Sequence, residues 1–145
     1  MQRTIFLLAL LLTCSATIAQ KNYFLQVYAG SNAPWGTSQS LLVEEGGKTT
    51  YYLTEVGKGD LDSSSFTLTK SELGKVNETL KKMNFYKLNA AYNEESVDGV
   101  ALTVIAKKGQ VENTVTWENI ETKETKMLID NVNAILKKRN IQLQY

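Results

Sequence analysis

The chain has 145 residues, one cysteine, no histidine and a formal net charge of +1. Without histidine or a second cysteine, Ser-His-Asp and Cys-His catalysis are excluded, as are thiolate and imidazole metal sites. The near-balanced charge shows no basic stripe interleaved with aromatics, so no nucleic-acid partner is expected.

The first residues read as a secretory leader. Arg3 supplies the positive start, Ile5 to Leu12 is an unbroken apolar run, and a weakly polar segment ends in Ala16-Thr17-Ile18-Ala19. That order is an n-region, an h-region and a small-residue cleavage site. The run is too short to cross a bilayer, which needs ~20 residues. The expected cut follows Ala19 and leaves Gln20 as the new N-terminus. A rival reading makes Leu12-Thr13-Cys14 a lipoprotein box with a lipid anchor on Cys14, although Thr13 is a poor residue before such a cysteine. The Ala19-Gln20-Lys21 junction resembles bacterial leaders, so the expected location is secreted or periplasmic. Arg3 is the only charged residue before the cut. Removing it leaves the cations equal in number to the 15 Asp and Glu. Residues 20–145 then carry no thiol, and a hydrophobic core must hold them without disulfides.

These residues read as one domain, with Pro34 its only proline and no linker tract. Residues 23–28, YFLQVY, are aromatic and β-branched and predict a first strand. Residues 29–40, AGSNAPWGTSQS, read as a turn-rich loop. Residues 41–53 read as two strands around Gly46-Gly47, a two-residue hairpin turn that sets Glu45 opposite Lys48. Residues 57–65, GKGDLDSSS, read as another loop.

Thr69 and Glu72 have the spacing of a capping box. Leu73, Val76, Leu80 and Met83 then recur at steps of three and four, one face of a helix. Glu78 and Lys82 form a favourable pair four residues apart on the other side. Residues 100–118 read as a second hairpin, with Lys108-Gly109 as its turn. Leu102 then faces Val115, and Val100 faces Trp117. Val100, Leu102, Val104, Ala106, Val111, Val115 and Trp117 share an apolar face, while Thr103, Thr114 and Thr116 fall on the other. The last helix spans about 122–139, with Leu128, Ile129, Val132, Ile135 and Leu136 as its stripe. Lys137, Lys138 and Arg139 complement its dipole, and Asn140 stops it. Residues 141–145, IQLQY, alternate as a short edge strand would. The order predicts an α+β domain, an antiparallel sheet built from hairpins with two amphipathic helices on one face.

Carboxylate chemistry stays open by composition. Asp60 and Asp62, and the Glu94, Glu95 and Asp98 group, could form acid pairs for a carboxylate-only hydrolase only if burial raised a pKa. The sequence reads more simply as solvated loop acids. Asp60-x-Asp62-x-Ser64 begins like a calcium loop, but Ser65 and Ser71 stand where Gly and Glu are required. Asn77-Glu78-Thr79 is a glycosylation sequon by pattern, inside the predicted helix. No cofactor or metal is expected.

Trp35 follows Pro34 in a polar loop outside any amphipathic period. A tryptophan there is either a binding anchor or a plug on the end of the sheet. Trp117, among apolar strand partners, belongs to the core. The pattern Phe85-Tyr86-x-Leu88, Asp98-Gly99, hairpin 100–118 and helix 122–139 resembles emfourin-like metalloprotease inhibitors and related small secreted bacterial domains. The resemblance covers about half the chain and implies inhibition of a protein partner. The expected function is therefore a secreted, non-enzymatic binding protein of the inhibitor or immunity type. Its expected contacts are Pro34, Trp35, Glu94, Glu95 and Asp98. The alternative is a structural or envelope-associated domain whose threonine-rich face meets glycan or a neighbouring protein.

Overall fold

The computed structural model describes residues 22–31, 36–94 and 99–145. The strands are β1 (Tyr23–Ser31), β2 (Thr37–Glu44), β3 (Lys48–Glu55), β4 (Gly59–Thr67), β5 (Ala91–Asn93), β6 (Val100–Lys108) and β7 (Val111–Glu118), and the helices are α1 (Lys70–Lys82) and α2 (Lys123–Leu136). The strands form one mixed sheet in the order β4-β3-β2-β1-β6-β7-β5. Every pairing is antiparallel except β5 on β7. The predicted α+β class is the observed one.

Alternation along the strands builds the core. Leu25, Val27 and Ala29 stand beside Val43 and Leu41 on one side and Ala106, Val104 and Leu102 on the other. All eight are buried, together with Val115 and Trp117. Val76 and Leu80 of α1 and Leu128, Val132, Ile135 and Leu136 of α2 complete the same cluster. Leu25, Leu41 and Val43 line one small hollow together with Val76, Val132 and Ile135. The alternate strand positions, including Leu42, Tyr52, Thr103 and Ile105, stay half-buried and Tyr28 is exposed. The helices therefore cover one face of the sheet and leave the other open. A β-bulge between Tyr23 and Leu25 lets Phe24 and Leu25 both enter the core.

The capping box of α1 is present, with Thr69 and Glu72 bonded reciprocally. A second box, Thr122 with Thr125, opens α2. After α2 a 3₁₀ turn runs over Lys137–Arg139 and ends at Asn140, which takes the expected left-handed conformation at φ 57°. Trp117 is in the core and stacks on Tyr92 of β5, rings 5.9 Å apart.

Five expectations need correction. First, Ala29–Ser31 belong to β1 and Thr37–Ser40 to β2, so the first loop is much shorter than 29–40. Small residues there permit close strands: a Cβ on Gly30 would meet the Ser38 Cβ at 2.8 Å. Second, residues 59–65 are not a loop. They form edge strand β4, whose Asp, Ser and Gly content hid it from propensity and discourages pairing with another chain.

Third, Glu45 is not opposite Lys48. Val43 pairs with Thr49, which makes Glu45, Gly46 and Gly47 a three-residue loop closed by Gly47 at φ 86°. Fourth, the second hairpin turns at Gly109-Gln110, and Leu102 pairs with Trp117 rather than Val115. A Lys108-Gly109 turn would ask positive φ of a lysine. Gly109 takes it instead, at φ 60°, in the first central position. Every partner moves by two residues, which preserves the faces, although Val100 and Val111 at the ends are exposed. Fifth, residues 141–145 form no strand. Side-chain amides hold them instead. Asn133 donates to the Leu143 carbonyl at 2.9 Å and accepts from its N–H at 2.8 Å.

Candidate partner-binding end of the sheet

Residues 32–36 lie between β1 and β2 in the chain, and residues 94–99 between β5 and β6. The register between β1 and β6 sets Ser31 opposite Val100. The strand entering the first loop thus lies beside the strand leaving the second, and the flanks of both loops share one end of the sheet. Of the sequence-predicted contacts, Glu94 is described and exposed. Pro34, Trp35, Glu95 and Asp98 lie outside the described residues.

The flanks are held by contacts that no motif announced. Gly36 takes φ 138°, and a Cβ on it would meet the Ser31 Cβ at 3.2 Å. Its carbonyl accepts from the Val56 N–H at 3.0 Å. Asn119 takes a left-handed φ of 57° just after β7. It donates from its backbone N–H to the Val100 carbonyl at 3.0 Å and from its side chain to the Glu94 carbonyl at 3.2 Å. A Cβ on Gly99 would run into the Asn119 side-chain amide, which would have to give up its place beside the loop. The Glu94 N–H donates to the Glu118 carbonyl at 3.0 Å. Both flanks of the second loop are therefore fixed to the end of β7.

The C-terminal residues wall the same end. The buried Gln39 side chain donates to the Tyr51 hydroxyl and the Gln142 carbonyl, and accepts from the Gln144 N–H at 2.7 Å. The Tyr145 hydroxyl donates to the Ile120 carbonyl at 2.7 Å. Burial, and then the nearby charge of Glu121, push the Tyr145 phenol above its ordinary pKa. A groove of about 410 Å³ runs between Gly30, Ser31, Thr37 and Tyr145, and a second of about 440 Å³ adjoins it at Val100, Asn119 and Glu121. Only sequence-distant contacts reveal Gln39, Asn119 and Tyr145 as the frame. Their one hint was an asparagine before a loop, a residue that tolerates left-handed backbone.

Chemically this end offers carboxylates, amides and hydroxyls on a rigid frame. Glu94, Glu118 and Glu121 surround it without a described lysine among the groove residues. Asp60 and Asp62 lie on the exposed strand β4, where Asp60 accepts from the Thr54 hydroxyl at 3.1 Å. Glu72 is the carboxylate held well below its usual range, at about 2, chiefly by the Arg139 guanidinium and the Thr69 N–H. It is locked into a helix cap, away from either groove. Among the described residues no group of three or more acids, cysteines or histidines could hold a metal ion. No described helix is long and apolar enough to cross a membrane. A scan against protein-family models and a search of curated proteins both find no match to this chain.

Proposed function

We propose that this chain is a secreted or periplasmic binding protein that acts by contact rather than turnover, covering a partner protein in the manner of an inhibitor or immunity protein. The observation that carries this reading is the pairing of Ser31 with Val100, which gathers the flanks of both candidate loops at one end of the sheet. Loops on a rigid scaffold are where proteins carry recognition. Trp35 is the proposed anchor, and Glu94, Glu95 and Asp98 bring negative charge, which suits a partner with a basic surface. Affinity capture from the medium or envelope fraction of the source cell tests it. A stoichiometric protein partner that is lost with Trp35→Ala supports the reading.

A second reading has its own observation. The open face of the sheet carries Tyr28, Tyr52 and a hydroxyl pair, Thr103 with Thr116 at 3.0 Å. Such a face suits a glycan in an envelope-associated domain. Retention on cell-wall glycan without any protein partner would favour it.

A further inference from the structure

Away from the loop end, a cleft of about 370 Å³ opens between the second half of α1, the 3₁₀ turn Phe85–Lys87 and the tip of β6. The half-buried Tyr86 ring gives it an apolar wall, with buried Leu80 behind it. Lys81, Lys87 and Lys108 line it as well, each from a different element, and only one acid, Glu78, joins them. None of the three lysines forms an ion pair with a described residue. Three unpaired like charges around one hollow repel one another, and a solvated basic face needs no hollow beneath it. Asn77 and Asn84 add amide groups, and Asn84 adopts a left-handed φ of 51° that turns the chain beside the cleft.

Tyr86 adds an independent sign. Its hydroxyl is the buried side-chain oxygen among the described residues that lacks any hydrogen-bond partner. Such groups normally find one, and the exceptions mark strain or a functional place. The volume falls within the range of small-molecule sites, which combine apolar walls with a few polar groups.

We infer that this cleft binds a small amphiphilic anion, with an apolar stem against the Tyr86 ring and a phosphate or carboxylate head among Lys81, Lys87 and Lys108. The site is separate from the loop end, so its test is independent of the proposed partner. A free metabolite or a lipid headgroup could present this chemistry.

The test titrates the ¹⁵N-labelled protein with hexyl phosphate at low salt, with hexanol and inorganic phosphate as the two half-probes. Saturable shifts should centre on Asn77, Lys81, Asn84 and Lys108, and hexyl phosphate should bind more tightly than either half. Lys81→Ala with Lys108→Ala should weaken it about tenfold or more. Co-sedimentation with phosphatidylglycerol vesicles, lost in the double lysine variant, would identify the headgroup as the source; no co-sedimentation beside saturable hexyl phosphate binding would identify a soluble ligand. Shifts spread equally over Lys48 and Lys137, or full affinity in the double lysine variant, would overturn the inference.

Discussion

Arg139 donates from its two terminal nitrogens to the two carboxylate oxygens of Glu72, at 3.1 and 3.0 Å. This fork joins the start of α1 to the turn that follows α2, across 67 residues of sequence. The same guanidinium lies 4.7 Å from the Phe66 ring centroid and donates to the Ile135 carbonyl at 2.9 Å. Glu72 meanwhile accepts from the Thr69 N–H as the capping residue of α1. One carboxylate thus serves a helix cap and an interhelix tie.

Glu72→Gln should lower stability at neutral pH by roughly 1–3 kcal/mol, the cost of unmaking charged hydrogen bonds in a buried place. The pKa of Glu72 falls from 4.5 to about 2 on folding. A depressed carboxylate stabilises above its unfolded pKa and loses that contribution as pH falls through the folded value. The gap between wild type and Glu72→Gln should therefore be full above about pH 4.5 and close toward pH 2. Urea titrations across that window measure it; a gap independent of pH would show that the charge of Glu72 is immaterial. Arg139→Lys should also destabilise, because an ammonium cannot make the fork.

Leu102→Ala should cost about 2–5 kcal/mol, the range for truncating a fully buried leucine. Leu102 is 0% exposed. Thr103 points to the open face and loses only its hydroxyl pairing with Thr116, so Thr103→Ala should cost under about 1 kcal/mol. Chemical denaturation of both variants makes the comparison, and equal losses would contradict the observed faces.

Gly109→Ala should destabilise by about 1–2 kcal/mol, because an L-residue resists positive φ. Lys108→Gly should have a much smaller effect, since Lys108 lies in the strand. The reverse ranking in thermal melts would restore a turn centred on Lys108-Gly109.

Asn133→Ala should loosen the C-terminal segment around Leu143. Both of its amide bonds to Leu143 would be lost, and the Leu143 N–H, now held at 2.8 Å, should exchange quickly with solvent. Hydrogen exchange that stays slow at Leu143 would show that burial of Ile141 and Leu143, with the Gln39 and Tyr145 bonds, holds the segment without Asn133.

Periodicity made the core legible. The stripes Val76-Leu80-Met83 and Leu128-Val132-Ile135 and the Leu102-Val104-Ala106 face depend on local spacing, and all are buried. The Thr69–Glu72 box was legible for the same reason. Polar strand β4 was not, since Asp60, Asp62 and Ser63–Ser65 form a strand only by pairing with β3. Three-residue β5 was equally hidden because it depends on β7. Arg139 looked like a dipole cation, and its true partner is distant in sequence. At the candidate site, Glu94 was legible as an exposed acid. The frame of Gln39, Asn119 and Tyr145 exists only through long-range contacts, which spacing cannot disclose.

The most direct test of the central proposal is to measure affinity for the captured partner and melting temperature on one variant, Trp35→Ala. If the loop end is the binding surface, affinity should fall by about 2 kcal/mol or more, as hot-spot truncations do, while the melting temperature stays nearly unchanged. A stable Trp35→Ala protein with undiminished affinity would contradict the account and move the contact surface away from that loop.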